Sequence, residues 1–163
     1  MNVFKGISPH SRVWIYQSSE EFTPKQLKTI EELKKVFLRH WESHGNPVKG
    51  KIEVLHNRFI VILIDEADEK SCGKSVDASI RLMKELELEL NVTLLNRMLV
   101  AYKKGEQIFS CTAAEFEALA KKGEVNANTI VFNNTVHTLA EFEKNWEVPA
   151  EKSWHKQLLS PLL

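Results

Sequence analysis

Residues 51–66 read KIEVLHNRFIVILIDE, and their interpretation decides the fold. The stretch has strand character twice, and His56-Asn57-Arg58 marks the reversal of a hairpin between the two arms. The second arm, Phe59–Ile64, is apolar at every residue. An edge or surface strand would alternate with polar residues, so this pattern predicts a central strand covered on both faces.

Working outward on the N-terminal side, Arg12–Ser19 (RVWIYQSS) has the β-branched and aromatic content of a strand. Thr23-Pro24-Lys25-Gln26 then supplies an N-cap, a proline at the first helical position and a glutamine to close a capping box. Ile30, Leu33, Phe37 and Trp41 follow at helical spacing, so a long amphipathic helix is expected over Pro24–His44, burying Ile30, Phe37 and Trp41. Gly45-Asn46-Pro47 stops it. On the C-terminal side, Lys74–Leu90 reads as a second helix with Val76, Ile80, Met83, Leu86 or Leu90 inward. MLVAYKKGEQIFSC (98–111) reads as a second hairpin around Lys104-Gly105. The order βαββαβ is the split βαβ arrangement of an α+β, ferredoxin-like sandwich, expected over residues 1–104.

Residues 105–163 are expected to form a small C-terminal α/β lobe with a packed tail, either separate or continuous with the first part. TAAEFE (112–117) and TLAEFE (138–143) repeat one pattern. Thr112 and Thr138 are expected as N-caps, with Glu115 and Glu141 closing each box and Phe116 and Phe142 buried against a strand at Thr129–Phe132. If this lobe docks a partner, an apolar groove should lie open beside that strand.

Composition narrows the function classes. The chain has 163 residues, 43% hydrophobic and 27% charged, which is ordinary for a soluble globular protein. Lysine plus arginine and aspartate plus glutamate each number 22, giving zero net charge and no basic excess for nucleic acid. The N-terminus lacks an apolar signal core, and the longest apolar run, Phe59–Ile64, is far shorter than a membrane span. With only Cys72 and Cys111 there is no disulfide framework, and a cytoplasmic protein is expected.

The segment following the central strand imitates a nucleotide site. Asp65-Glu66 ends the strand, and Gly73-Lys74-Ser75 opens the next helix. A phosphate-binding loop needs glycine where this chain has Asp68, because backbone amides must wrap the phosphate without a Cβ in the way. The run DEADEK also sets carboxylates where a polyphosphate would sit. ATP hydrolysis is therefore not expected.

Four further signals carry chemistry. Asp65, Glu66, Asp68 and Glu69 have the ligand type of a hard-cation loop, but a solvated turn beside a helix N-terminus is the favoured reading. His40 and His44 lie one helical turn apart and, with His56, are the candidate metal ligands, against a plainer role for His44 near a helix C-terminus. Cys72 precedes a helix N-terminus between Lys70 and Lys74, which favours a thiolate, while nearby carboxylates oppose it. Cys111, at a strand end, reads as core.

In their order, WIYQSS, WESHGNPVKG, HNRFIVILIDE, SVDASIRLMKELE, NRMLVAY, TIVFNN and WEVPAEKSWH resemble a family of small uncharacterised bacterial proteins often labelled "ABC transporter ATPase". The family has cysteine where this chain has Lys74, a departure that removes one thiol. Residues 105–131, GEQIFSCTAAEFEALAKKGEVNANTIV, separately resemble the GYF-like modules of bacteria, which implies docking of a protein or peptide partner. The Gly-Pro-Tyr/Phe proline-binding signature is absent.

Taken together, these features predict a non-enzymatic binding or adaptor module rather than an ATPase, with no cofactor and no metal. A homodimer through a sheet edge or the tail tryptophans is compatible with it. The alternative is a small metal- or thiol-dependent enzyme with its site around His44, Arg58, Asp65 and Cys72.

Overall fold

The computed structural model describes residues 3–43, 45–65 and 73–159. The protein is an α+β molecule whose chain divides into two compact units. One comprises 1–95 with 137–140, and the other 96–136 with 141–163. The division falls ahead of the 104/105 boundary expected from the sequence.

The first unit contains β1 (Arg12–Gln17), α1 (Pro24–His40), the two-residue strands β2 (Glu42–Ser43) and β3 (Asn46–Pro47), β4 (Gly50–Leu55), β5 (Phe59–Ile64) and α2 (Gly73–Leu90). Its sheet has the order β1-β5-β4. Both neighbours of β5 are antiparallel to it, with Arg12 and Gly50 each opposite Ile64. β1 and β4 therefore run parallel to each other with β5 inserted between them, which is the split βαβ predicted. All six residues of β5 are buried. Its reversal is made by His56 and Asn57, both at positive φ (53° and 51°), the requirement of a tight type I′ hairpin turn.

Helix α1 starts where its cap predicts. Thr23 Oγ1 accepts from the Gln26 amide at 3.2 Å, and the Thr23 amide donates to Gln26 Oε1 at 2.9 Å. Gln26 Nε2 also donates to the Leu90 carbonyl at 3.0 Å, satisfying an orphan acceptor at the end of α2. The helix ends at His40 rather than His44, because Trp41 turns into extended backbone. Ile30 and Trp41 are buried, whereas Phe37 is only half-buried. Beneath the helices, Tyr16, Ile52, Ile60, Ile62 and Ile64 pack against Ile30, Trp41, Leu82, Met83, Leu86 and Leu90. Leu82, absent from the expected inward set, is core, while Val76 and Ile80 are half-buried.

The ferredoxin-like order stops at three strands. β6 (Leu99–Lys104), expected to complete the first sheet, belongs to the second one, of order β7-β6-β8-β9. The reason lies in its edges. β6 pairs along its whole length with β7 (Gln107–Thr112), and Tyr102 on its other side pairs with Val131 of β8 (Ile130–Phe132). Neither edge remains for β1. The outer edge of β1 is instead bonded by residues 137–139: the Val13 amide donates to His137 O at 3.0 Å and the Leu139 amide to Ser11 O at 2.8 Å.

In the second unit, α3 (Ala113–Lys121) packs on one face of the sheet, which β9 (Glu147–Pro149) completes beyond β8. Val100, Cys111, Phe116, Ala120, Val125, Val131, Ala150 and Leu159 form the core. Thr112 is the N-cap of α3, its Oγ1 accepting from the Glu115 amide at 3.1 Å. Thr138 immediately precedes α4 (Leu139–Asn145), at the cap position. Phe116 is fully buried; Phe142 is half-buried and stacks on Trp146 with centroids 4.8 Å apart. Among the described residues, β8 is an internal strand with Val131 and Phe132 buried, so it offers no open strand edge for the groove expected beside 129–132. The tail closes the core through two short 3-10 turns, Ala150–Lys152 and Trp154–Leu158.

Candidate functional site

The sequence-derived candidates among the described residues do not gather at one point. Arg58 and Asp65 bracket β5 at its two ends. At about 3.3 Å per residue that separates their backbones by roughly 20 Å. Arg58 directs a guanidinium nitrogen at the Ser19 carbonyl, 3.5 Å away, and burial lowers its pKa against the opposing pull of Glu21 and Glu20. Asp65 Oδ1 accepts from Ser11 Oγ at 3.4 Å, and its amide donates to Lys49 O at 2.8 Å. Each residue thus holds the chain at its own end of the hairpin. His44 and Cys72 lie outside the described residues, as does the acidic run 66–69 with Asp68.

The histidines also separate. His56 sits in the turn at the Phe59 end of the sheet, edge-on to Phe59 with centroids 6.2 Å apart. His40 ends α1, next to Trp41, whose ring lies on Gly50 at the Ile64 end. Among the described residues no group of three side chains is placed to hold a metal ion. Cys111 is buried, and burial, with a smaller contribution from Glu115, pushes its thiol up to about 11. It is protonated at neutral pH and belongs to the core, as expected.

What the fold does assemble is a cleft of about 700 Å³ between α1 and α2. From α1 come Leu33, Val36, Phe37 and His40, spaced three and four apart and so on one helical face, followed by Trp41 and Glu42. From α2 come Asp77, Ala78, Arg81, Leu82 and Glu85, again one face. The floor is apolar. Val36 is 51% exposed at its edge, and the Phe37 and Trp41 rings meet at 4.9 Å. A Cβ on Gly50 would stand 2.2 Å from the Trp41 ring, so glycine is what lets that ring approach β4 so closely. Among the described residues, His40 is the one sequence-derived candidate that this cleft contains.

Reading α1 as a core-facing helix hid the cleft. The usable signal was Val36. It widens the apolar stripe of Leu33 and Phe37 beyond what burial against a sheet requires.

A second arrangement, also missed, lies in the tail. His155 is fully buried, stacked on Trp154 at 4.1 Å and edge-on to Phe116 at 6.1 Å. Its Nδ1 is 2.5 Å from Ser153 Oγ, and its Nε2 has no hydrogen-bond partner. A Ser–His contact evokes a nucleophile with its base. Here, however, Ser153 Oγ also accepts from the His155 amide at 3.2 Å as the cap of the final 3-10 turn. No carboxylate orients the ring's other nitrogen, which a serine nucleophile's base needs. The pair is structural. Burial alone lowers the His155 pKa to about 4, keeping the ring neutral.

The chain is an α+β protein with an interhelical cleft, and among the described residues no helix is long and apolar enough to cross a membrane. Comparisons with protein-family models, with curated proteins and with solved structures gave no match.

Proposed function

We propose that this protein is a non-enzymatic binding module whose ligand site is the cleft between α1 and α2. The observation that supports it most is the cleft itself. Its 700 Å³ lies within the roughly 300–1,000 Å³ usual for ligand sites, and a few polar groups ring an apolar floor. Of the enzymatic alternative's residues, the two that are described, Arg58 and Asp65, stand at opposite ends of β5. The likeness of residues 105–131 to GYF-like modules agrees with a binding role in kind, although the internal position of β8 moves the expected surface elsewhere. A free, buried Cys111 suits a reducing cytoplasm.

The test is binding of a neutral apolar dye, Nile red, to the wild-type chain and to Val36→Asp. Val36 is exposed, so the variant should fold while placing a charge at the edge of the apolar floor. Saturable dye fluorescence reduced at least tenfold in affinity by Val36→Asp is the expected result. Equal affinity in both chains would sink the assignment of the cleft.

A further inference from the structure

Among the described residues the charges around the cleft are unequal. Glu42, Asp77 and Glu85 contribute three carboxylates to its lining, against the guanidinium of Arg81 and the imidazole of His40. Arg81 stands one helical turn from both Asp77 and Glu85, yet among the described residues no ion pair within 4.0 Å joins them. All five of these side chains belong to exposed residues. The carboxylates are therefore available to a ligand, and among the described lining residues the excess is negative although the whole chain is neutral.

The walls add to this preference. The half-buried Phe37 ring lines the cleft in contact with that of the buried Trp41, and the negative face of an aromatic ring attracts a cation within about 6 Å. Size then separates two kinds of occupant. Three turns of a partner helix, about 10 Å across, would fill roughly 1,300 Å³, nearly twice this volume. A small molecule fits within it.

We infer that the cleft between α1 and α2 binds a small organic cation: an apolar or aromatic body seated against Phe37 and Trp41, with a protonated amine held by Asp77, Glu85 and Glu42. This rests on the cleft being the ligand site. It adds the sign of the ligand's charge, which the apolar floor alone leaves open. Carboxylate attraction at an exposed rim is screened by salt, so the selectivity should fall at high ionic strength.

Three probes of one shape separate the contributions: 4-phenylbutylamine, 4-phenylbutanol and 4-phenylbutyrate, titrated by calorimetry at neutral pH in low salt. The amine is expected to bind at least tenfold more tightly than the acid, with the alcohol between them. In the double variant Asp77→Asn, Glu85→Gln, whose side chains are exposed, the amine should lose about tenfold while the alcohol is unchanged. Raising salt should weaken the amine alone. Acid binding as tight as amine binding, or a preference that survives the double variant, overturns the inference. So does failure of all three probes; if Nile red still binds, that result leaves the cleft as ligand site and removes only the cation. Two other occupants would show themselves. A basic amphipathic peptide that binds where the amine does not would make this a helix-docking groove. Self-association abolished by Val36→Asp would mean that a second copy covers the cleft.

Discussion

At the scale of single residues, two side chains have testable consequences. His155 is buried and neutral, with its pKa lowered to about 4 from an ordinary 6.5 by desolvation. Between those two values the unfolded chain binds the extra proton and the folded chain does not. Stability from this residue is thus complete above pH 6.5 and is lost as pH falls toward 4. The full span corresponds to about 3 kcal/mol. Urea midpoints measured from pH 7 to pH 4.5 should fall with a slope that His155→Gln flattens; an unchanged slope would mean that the ring is solvated. Gly50 gives the second test. Gly50→Ala must displace the Trp41 ring, which a Cβ would approach to 2.2 Å. Overpacking of this kind costs about 1–3 kcal/mol. The same variant should weaken dye binding in the cleft, and wild-type values for both stability and binding would contradict the packing described.

Helix starts are the element-scale features on which sequence and structure agree best. Thr23 and Thr112 both accept from the amide three residues on. Thr23→Ala and Thr112→Ala should each lose about 1 kcal/mol by chemical denaturation, whereas Thr→Ser at either site keeps the hydroxyl and should lose little. The boxes differ in completeness. Gln26 returns the bond to the Thr23 amide at 2.9 Å. Thr112 ends β7, opposite Leu99, and its cap rests on the hydroxyl bond. Within α1, Ile30→Ala should cost about 2–5 kcal/mol as a fully buried site. Phe37→Ala, half-exposed on the cleft, should cost less than Ile30→Ala and be felt more in ligand affinity. The reverse ranking would place Phe37 in the core.

At the scale of the whole molecule, a prediction follows from what the Gly-Lys-Ser tripeptide lacks. Asp68 stands where a phosphate loop requires glycine. ATP at about 1 mM should leave the melting temperature unchanged, since a ligand below its Kd adds well under 1 kcal/mol of stability. Lys74→Ala should behave as wild type in the same assay. An ATP-dependent rise that Lys74→Ala abolishes would restore a nucleotide site.

What the sequence determined by itself is local. The continuous apolar run of Phe59–Ile64 meant a central strand, His56-Asn57 meant a tight reversal, and Thr23 with Gln26 set the start of α1. Each depends on neighbours within a turn or a hairpin, so the pattern carries the physics. The α+β class was legible for the same reason. Tertiary structure alone decided which sheet receives Leu99–Lys104, because strand partners are chosen by edges far apart in the chain. With β7 and β8 on its two sides, β6 had no edge for β1, and the short segment 137–139 bonded there instead. The cleft was decided in the same way. Val36 widens the apolar stripe of α1 and Arg81 is unremarkable on α2, and only the packing of the two helices brings an apolar floor and an acidic rim to one place. His155 completes the contrast: nothing in its neighbours marks it as buried, and desolvation by the core around it sets its chemistry.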